Sequence, residues 1–295
     1  MLLRASLLVA AFSVIPAASF AQDEGREVFR GEVAAGSWLR VRTLKGDIEV
    51  RETSGRTAVV RARQRSRRDS DGTATFEVKR DGSSVTICAI YEHTTQCDAE
   101  EYNTRRRNND SDYTSADFTV ELPRGVKLLA ATGNGDVQAR GATAEVTAAS
   151  GNGEVSVNGS GGRVSASSGN GDIDVTDAKG PVNASSGNGD ITVRTTEGPV
   201  TASSGNGRIN VRMDRLVNDG NMSFSTGNGS IEVSLPANAS ADVDANVGMR
   251  NFETDFPMQL EGRMSGGRIE GTINGGGRRI RMSTGNGRIA IRKNG

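Results

Sequence analysis

Hydrophobic residues recur at every second position through most of this chain, in short runs separated by turn residues. Residues 169–186 read GNGDIDVTDAKGPVNASS. In this segment Ile173 and Val175 lie two positions apart, and Val182 and Ala184 repeat that spacing after a turn. A period of two is typical of a strand with one buried face. The segment therefore predicts two short strands, joined by turns that are too short to hold crossover helices.

The tripeptide Gly-Asn-Gly divides the second half of the chain into repeats. Five copies follow one another at a spacing of 18 residues, and two more begin at Gly227 and Gly285. A fixed period of this kind is the sequence signature of a repeat architecture. The first glycines of the five regular copies are Gly133, Gly151, Gly169, Gly187 and Gly205.

Aligning the repeats places similar small residues in columns. Such columns are what a coil of strands about 4.8 Å apart requires, because each rung must match the rung below it. The predicted fold class is all-β: a parallel β-solenoid, similar to a β-helix, with 18-residue rungs and a less regular β-rich N-terminal part. The columns are Val137, Val155, Ile173, Ile191 and Ile209; Val146, Val164, Val182 and Val200; Ala148, Ala166, Ala184 and Ala202; and Ser150, Ser168, Ser186 and Ser204.

The Gly-Asn-Gly tripeptides are predicted to form the corners of the coil. A tight corner needs a positive φ, which Gly and Asn adopt at the least cost. Asparagines stacked in successive rungs can also hydrogen-bond along the coil as a ladder. A phosphate-binding loop is the alternative, but a helical pattern follows none of the copies. The corner asparagines are Asn134, Asn152, Asn170, Asn188, Asn206, Asn228 and Asn286.

The chain is predicted to divide into three parts. Residues 1–21 read as a secretion signal, with Arg4 before an apolar stretch and small residues before a cleavage point after Ala21. Residues 22–125 are the β-rich N-terminal region and cap, and residues 126–295 are the β-solenoid with Gly-Asn-Gly corners. We therefore expect an exported protein of the periplasm, cell surface or extracellular space, without a transmembrane segment.

Bulky residues appear where the regular repeats stop, and an open solenoid end needs a cover. These residues are predicted to plug the C-terminal end, with residues 288–292 as the final strand. They are Met222, Phe224, Met249, Phe252, Phe256 and Met258.

Charge and cysteine content narrow the partners. The chain has 36 basic and 36 acidic residues, so nucleic acid and anionic membrane are not expected as obligatory partners.

Cys88 and Cys97 lie nine residues apart, and in an exported chain they predict a disulfide. A metal site is the poorer alternative, because these two thiols and the single histidine, His93, fall short of a closed tetrahedral set. No cofactor or metal is predicted.

Three surfaces are candidates for binding. A column after the corners carries stacked carboxylates that a calcium ion could bridge, but the favoured interpretation is a solvated outer column whose repulsion is reduced by water and Arg208. The outward positions of the second strand form a flat face of small polar side chains, which could dock a glycan or another envelope surface component. Two arginine-rich stretches, residues 61–68 and 105–107, could hold acidic polysaccharide. The acidic column is Asp136, Glu154, Asp172 and Asp190, followed by Arg208; the flat face is Thr147, Ser165, Asn183, Thr201, Ala149, Ser167, Ser185 and Ser203.

An enzyme is the competing class, because some polysaccharide lyases and hydrolases are β-helices. Such sites cluster carboxylates with aromatic residues that stack on sugars. Here the rungs carry small residues, with no aromatic residue between Phe118 and Phe224, and no nucleophile motif accompanies His93. The prediction is a non-enzymatic scaffold with no catalytic residue; the alternative is a carbohydrate-active β-helix enzyme.

Several segments resemble a known bacterial family. They are Lys-Gly-Asp-Ile-Glu-Val at residues 45–50, Val-Glu-Leu-Pro at 120–123, the Gly-Asn-Gly-Asp-Ile rungs, Asp-Phe-Pro at 255–257 and the closing Gly-Asn-Gly-Arg-Ile-Ala-Ile. Over residues 30–295 the chain resembles the bacterial "putative adhesin" family of domains of unknown function, which is similar to the GIN domain of autotransporter adhesin heads. The resemblance implies a β-helix-like fold and an adhesin or envelope-surface binding role, and it carries no catalytic residues.

Overall fold

The computed structural model describes residues 25–66, 73–92, 94–104, 114–195, 197–216, 220–247, 251–261 and 267–294. The predicted secretion signal, His93 and Met249 lie outside these residues. The described residues form 27 strands, and none of them belongs to a helix long and apolar enough to cross a membrane. The strands are β1 (Arg26–Glu32), β2 (Trp38–Lys45), β3 (Ile48–Thr53), β4 (Thr57–Arg65), β5 (Thr75–Asp81), β6 (Ser84–Ile90), β7 (Thr94–Cys97), β8 (Tyr102–Thr104), β9 (Ser115–Pro123), β10 (Lys127–Asn134), β11 (Val137–Arg140), β12 (Val146–Asn152), β13 (Val155–Asn158), β14 (Val164–Asn170), β15 (Ile173–Ala178), β16 (Val182–Asn188), β17 (Ile191–Thr195), β18 (Val200–Asn206), β19 (Ile209–Met213), β20 (Met222–Asn228), β21 (Ile231–Leu235), β22 (Ala241–Asn246), β23 (Phe252–Thr254), β24 (Met258–Leu260), β25 (Arg268–Ile273), β26 (Arg278–Asn286) and β27 (Ile289–Lys293).

Two long sheets, joined at the corners, make up the coil. Sheet A has the order β1-β4-β9-β3-β11-β13-β15-β17-β19-β21-β27-β23, and sheet B has the order β24-β25-β22-β26-β20-β18-β16-β14-β12-β10-β2-β6-β5. Each regular rung gives one strand to each sheet, and successive rungs pair in parallel with residues 18 apart, as Val146 with Val164. The predicted parallel β-solenoid is confirmed.

The inward side chains form one continuous core between the two sheets. The Val, Ile and Ala columns are buried to within a few per cent in every regular rung. The serine column is buried as well, and its hydroxyls donate to glycine carbonyls of the preceding corner: Ser150 to Gly135 at 2.8 Å and Ser168 to Gly153 at 2.9 Å. These bonds satisfy polar groups that would otherwise be buried without a partner.

The corners use glycine for a reason that the sequence prediction stated incompletely. The corner asparagines do not have positive φ; among the described non-glycine residues only Asp177 and Asn274 do. Close stacking demands the glycines instead, because a Cβ on Gly189 would overlap the carbonyl oxygen of Gly171 in the rung below. The third glycine of some corners adds a positive φ, as at Gly153 (φ 149°).

The N-terminal end begins with a rung that belongs to the coil. Strands β2 and β3 pair in parallel with β10 and β11, in register with the later rungs. Beyond this rung, β9, β4 and β1 extend sheet A while β6 and β5 extend sheet B. Most of these added pairs are antiparallel. The domain boundary at residue 125 stays a prediction, and the first rung lies on its N-terminal side.

At the C-terminal end, the order of the strands in the sheets differs from their order in the chain. Strands β26 and β27 are the last in the chain, yet they lie inside the stack, β26 between β20 and β22 and β27 between β21 and β23. A final strand is present as predicted at residues 288–292, namely β27 (Ile289–Lys293), and it lies inside the stack with β23 outside it. Met222 and Phe224 also lie within the stack rather than at its end, because β20 pairs with β18 on one side and β26 on the other. Phe256 is buried near the outer rung, where the ammonium of Lys293 lies 5.1 Å from its ring centroid.

Candidate functional site: the polar face of sheet B

The outward side of sheet B carries a flat face of uncharged side chains across six neighbouring strands. It comprises two columns on β10, β12, β14, β16, β18 and β20, held in register by parallel pairing. All eight residues of the predicted flat face belong to it. We call this surface the polar face: Leu129, Thr147, Ser165, Asn183, Thr201 and Ser223 in one column, and Ala131, Ala149, Ser167, Ser185, Ser203 and Ser225 in the other.

The hydroxyls and the amide of the polar face are available for binding. Asn183, Ser185 and Thr201 are exposed, and Thr147 and Ser165 are partly exposed. Within the described part of the chain, no hydrogen bond engages these five side chains, whereas the inward serines of the same strands all donate to backbone carbonyls. The outward groups therefore keep their donors and acceptors for solvent or a ligand.

A disulfide-linked arm, residues 94–104, borders the polar face at its N-terminal end. Strands β7 and β8 form the arm, and a disulfide joins Cys97 to Cys88 in β6. Lys79 donates to the Cys97 carbonyl at 2.6 Å, and Arg42 donates to the Ala99 carbonyl at 3.0 Å. The arm thus covers the outward side of β6 and β2, and the polar face begins at the next strand.

Ion pairs border the opposite end. Arg268 donates to both carboxylate oxygens of Asp244 at 3.0 Å, and Arg281 reaches the same carboxylate at 3.3 Å. The hydrogen bonds that Arg268 donates to Asp244, together with the charges of Asp244 and Glu270, raise the pKa of Arg268. The polar face is therefore an uncharged surface with the arm at one end and ion pairs at the other.

The acidic column is a hydrogen-bonding ladder. The carboxylate of Asp136 accepts the backbone N–H of Glu154 at 2.8 Å, and Asp172 accepts that of Asp190 at 2.8 Å. Arg208 then closes the column by donating from both its backbone and its side chain to Asp190. Backbone N–H groups offset the repulsion between stacked carboxylates, and Arg208 does so as the solvated-column interpretation expected. The described residues contain no group of three or more side chains placed to hold a metal ion.

The corner asparagines form a second ladder. The amide of Asn152 donates to the side-chain oxygen of Asn134 at 2.9 Å, and the pattern continues to Asn286, which donates to Asn228 at 2.7 Å. The bond from Asn286 to Asn228 shows that a jump of 58 residues in sequence is one step in the stack. These asparagines are exposed, but their amides are committed to one another.

The described arginines of the basic cluster at residues 61–68 all form ion pairs. Arg61 pairs with Glu121 at 2.7 Å, and Arg63 and Arg65 both pair with Asp117 of β9. These arginines join β4 to β9 rather than presenting an open cationic surface. Arg67, Arg68 and residues 105–107 lie outside the described residues.

Fold and polar face together define a β-solenoid scaffold. Residues 39–292 match the family described as Toastrack DUF4097, and the chain belongs to this family. This shows the predicted resemblance at the level of a family of unknown function, while the similarity to the GIN domain stays a prediction. No curated protein matches the chain. A solved "putative cell adhesion protein" from Clostridium sporogenes is 11 % identical over 90 % of this chain and 98 % of its own, with a TM-score of 0.23.

Proposed function

We propose that this protein is an exported, non-enzymatic scaffold that binds a glycan of the cell envelope through the polar face. The observation that carries the proposal is the polar face itself: two columns of outward side chains, uncharged across six strands, with hydroxyls and one amide that the described chain does not use. A glycan offers hydroxyl groups along its length, and these can both donate to and accept from Ser, Thr and Asn side chains.

The regularity of the face suits a polymer better than a small molecule. Parallel rungs repeat the same donors and acceptors at the strand spacing of about 4.8 Å. An extended ligand can therefore make many weak contacts of one kind, and their combined strength supplies affinity. The face is flat, in contrast to the concave pockets that enclose small ligands.

Two further features support export and binding rather than catalysis. The Cys88–Cys97 disulfide is of a kind that persists in oxidising compartments outside the cytoplasm. The polar face carries hydroxyls, aliphatic groups and one amide, none of which exchanges protons as a general acid or base near neutral pH.

The test is binding of the mature chain to an array of envelope polysaccharides, with calcium and with a chelator. Lysine at four positions of the polar face should abolish binding, because long charged side chains lift the ligand off the flat surface. The matched control places lysine at four outward positions of sheet A and should bind normally. The face variant changes Thr147, Ser165, Asn183 and Thr201; the control changes Ser156, Thr176, Thr192 and Asn210.

Each other outcome contradicts a part of the proposal. Absence of binding by the unmodified chain would refute the glycan partner. Loss of binding with chelator would move the site to the acidic column. Release of reducing ends or unsaturated products would refute the non-enzymatic role.

A further inference from the structure

Two arginines lie at the junction of the arm and the polar face without a counter-ion. Arg40 and Arg42 project from the outward side of β2, two residues apart, next to the first strand of the polar face. Arg42 is only 7 % exposed, and Arg40 is partly exposed. Neither pairs with a carboxylate among the residues that the structure describes.

Both guanidinium groups have an enclosed N–H without an acceptor. The atoms are Nη1 of Arg40 and Nε of Arg42, and no described group accepts from them. The carbonyl oxygens of Ala99 and Glu100 accept from Nη2 of Arg42, at 3.0 and 3.4 Å, and hold its guanidinium in place. A buried donor on a charged group is costly to leave without a partner, so the site is incomplete as it stands.

The arm does not supply the missing charge. Its nearest influential carboxylate, Asp98, accepts from Gln96 at 2.8 Å and from the backbone N–H groups of Glu100 and Glu101 at 2.9 and 2.8 Å. These bonds lower the pKa of Asp98 to about 2 and tie its oxygens to the arm. Burial and the charge of Arg40 lower the pKa of Arg42, and the charge of Asp98 offsets this only in part.

An aromatic ring stands beside the two arginines. The guanidinium carbon of Arg40 lies 5.6 Å from the ring centroid of Trp38, and the ammonium of Lys127 lies 5.4 Å from it. Trp38 is partly exposed. Apolar ring surface next to guanidinium donors suits a sugar ring that carries an anionic group, because the ring packs on the aromatic side chain while the oxyanion binds the guanidinium.

We propose that Arg40, Arg42 and Trp38 form an anionic subsite, which takes a carboxylate or sulfate group of a glycan lying on the polar face. This inference rests on the proposed function and narrows its ligand to an acidic glycan. The polar face is uncharged over six strands, so the subsite supplies the charge recognition that the face lacks and fixes one end of the polymer. The oxyanion binds the partly exposed guanidinium of Arg40, beside the two enclosed N–H groups that have no other acceptor.

Intrinsic fluorescence tests the subsite directly, because Trp38 is the only tryptophan in the chain. The full mature chain is titrated with trigalacturonate, with the carboxyl-reduced neutral trimer, with the O-sulfated neutral trimer and with sodium sulfate. We expect trigalacturonate or the sulfated trimer to change the emission with a Kd at least about tenfold lower than the neutral trimer. The acid that binds more tightly identifies the group.

Substitutions locate the effect. Arg40→Gln should remove the preference for the acidic trimer, whereas Arg163→Gln, the same change on an exposed arginine just before β14, should leave it intact. Arg42→Gln should act in the same way; if it does not fold, Arg40→Gln decides alone. Calorimetry on the same samples detects binding that leaves the emission unchanged.

Three results would overturn the subsite. Equal affinity for acidic and neutral trimers would remove the anionic preference. Equal affinity for sodium sulfate and the sulfated trimer, with no binding of trigalacturonate, would leave a free-anion site only. An unchanged preference in Arg40→Gln would place charge recognition elsewhere. In each case the proposed function survives if lysine on the polar face still abolishes binding of neutral polysaccharide, so the two proposals fail separately.

Discussion

The two sheets of this solenoid share their rungs and their inner columns, yet their outer faces are unlike. Over the same six rungs, five of the twelve outward positions on sheet A are charged, and none of the twelve on the polar face of sheet B is. The outward residues of sheet A are Gln138, Arg140, Ser156, Asn158, Asp174, Thr176, Thr192, Arg194, Asn210, Arg212, Glu232 and Ser234. Stacking in register therefore requires matched interiors and leaves the outer faces free to diverge.

The outer faces also differ in how they use their polar groups. At the C-terminal end of sheet A, Arg292 pairs with Asp255 at 3.2 Å and also with Glu253, and near the other end Arg51 pairs with Glu49 at 3.5 Å. The polar face of sheet B has hydroxyls without described partners, and its ion pairs lie at the boundary. Sheet A thus uses outward side chains in its own ion pairs, and the polar face of sheet B does not. Substitutions at the corner that joins the two sheets, and on each outer face, test this difference.

Gly189→Ala should have the largest effect, since it damages both sheets at their common corner. An added Cβ would overlap the Gly171 carbonyl in the rung below, and backbone cannot move aside as a flexible side chain can. We expect a loss of about 3 kcal/mol or more in the free energy of unfolding, measured by urea denaturation. Gly55→Ala is the control, because its Cβ would meet nothing closer than 3.7 Å. Equal stability of the two variants would show that the stack adjusts easily and that the sheets are not tied at the corners.

The adjacent serines of β16 separate the inside of sheet B from its outside. Ser186 is buried and donates to the Gly171 carbonyl at 2.9 Å, while Ser185 lies on the polar face. Ser186→Ala should lower the free energy of unfolding by about 1 to 3 kcal/mol, because it leaves a buried acceptor unpaired. Ser185→Ala should stay within about 0.5 kcal/mol of the unmodified chain. A large loss from Ser185→Ala in thermal or urea unfolding would mean that the polar face is structural.

The pattern of the sequence predicts the regular rungs well, because in a solenoid the contact partner of each residue lies one repeat away. Val164 between Val146 and Val182 is the simplest case: sequence period and spatial stacking are the same quantity. The flat face follows in the same way, since outward positions alternate with inward ones along each strand.

Where the order of the stack departs from the order of the chain, the pattern carries no such information. The final Gly-Asn-Gly copy resembles the others, and nothing in its residues states that β22 and β23 will lie outside it. The arm is a similar case: Arg42 meets Ala99 across 57 residues of irregular sequence. The anionic subsite depends on such a contact, so sequence reasoning missed it. Three basic or aromatic residues within Trp38–Arg42 were the only signal.

Arg292→Gln should have the smallest effect, and it sharpens the contrast between the outer faces. Its guanidinium holds Glu253 and Asp255 on sheet A, and the backbone N–H of Lys293 and Arg292 together lower the pKa of Asp255. Because that lowered pKa favours the folded state only above the ordinary value for aspartate, the contribution should fade as the pH drops below 3.8. We expect a small decrease in the urea midpoint at pH 7 and low salt, and none in 1 M NaCl, where exposed charges are screened.

Arg163→Gln makes the same chemical change on an exposed arginine just before β14 that forms no ion pair with any residue the structure describes. Its midpoint should not move at either salt concentration. If both variants lost the same stability, long-range charge rather than local pairing would govern the outer surfaces, and the division between a self-stabilising face and a binding face would fail. A salt-sensitive loss in Arg292→Gln alone would instead show that outward charges on sheet A stabilise the folded state. The polar face of sheet B would then be the outer surface whose side chains do not contribute to stability.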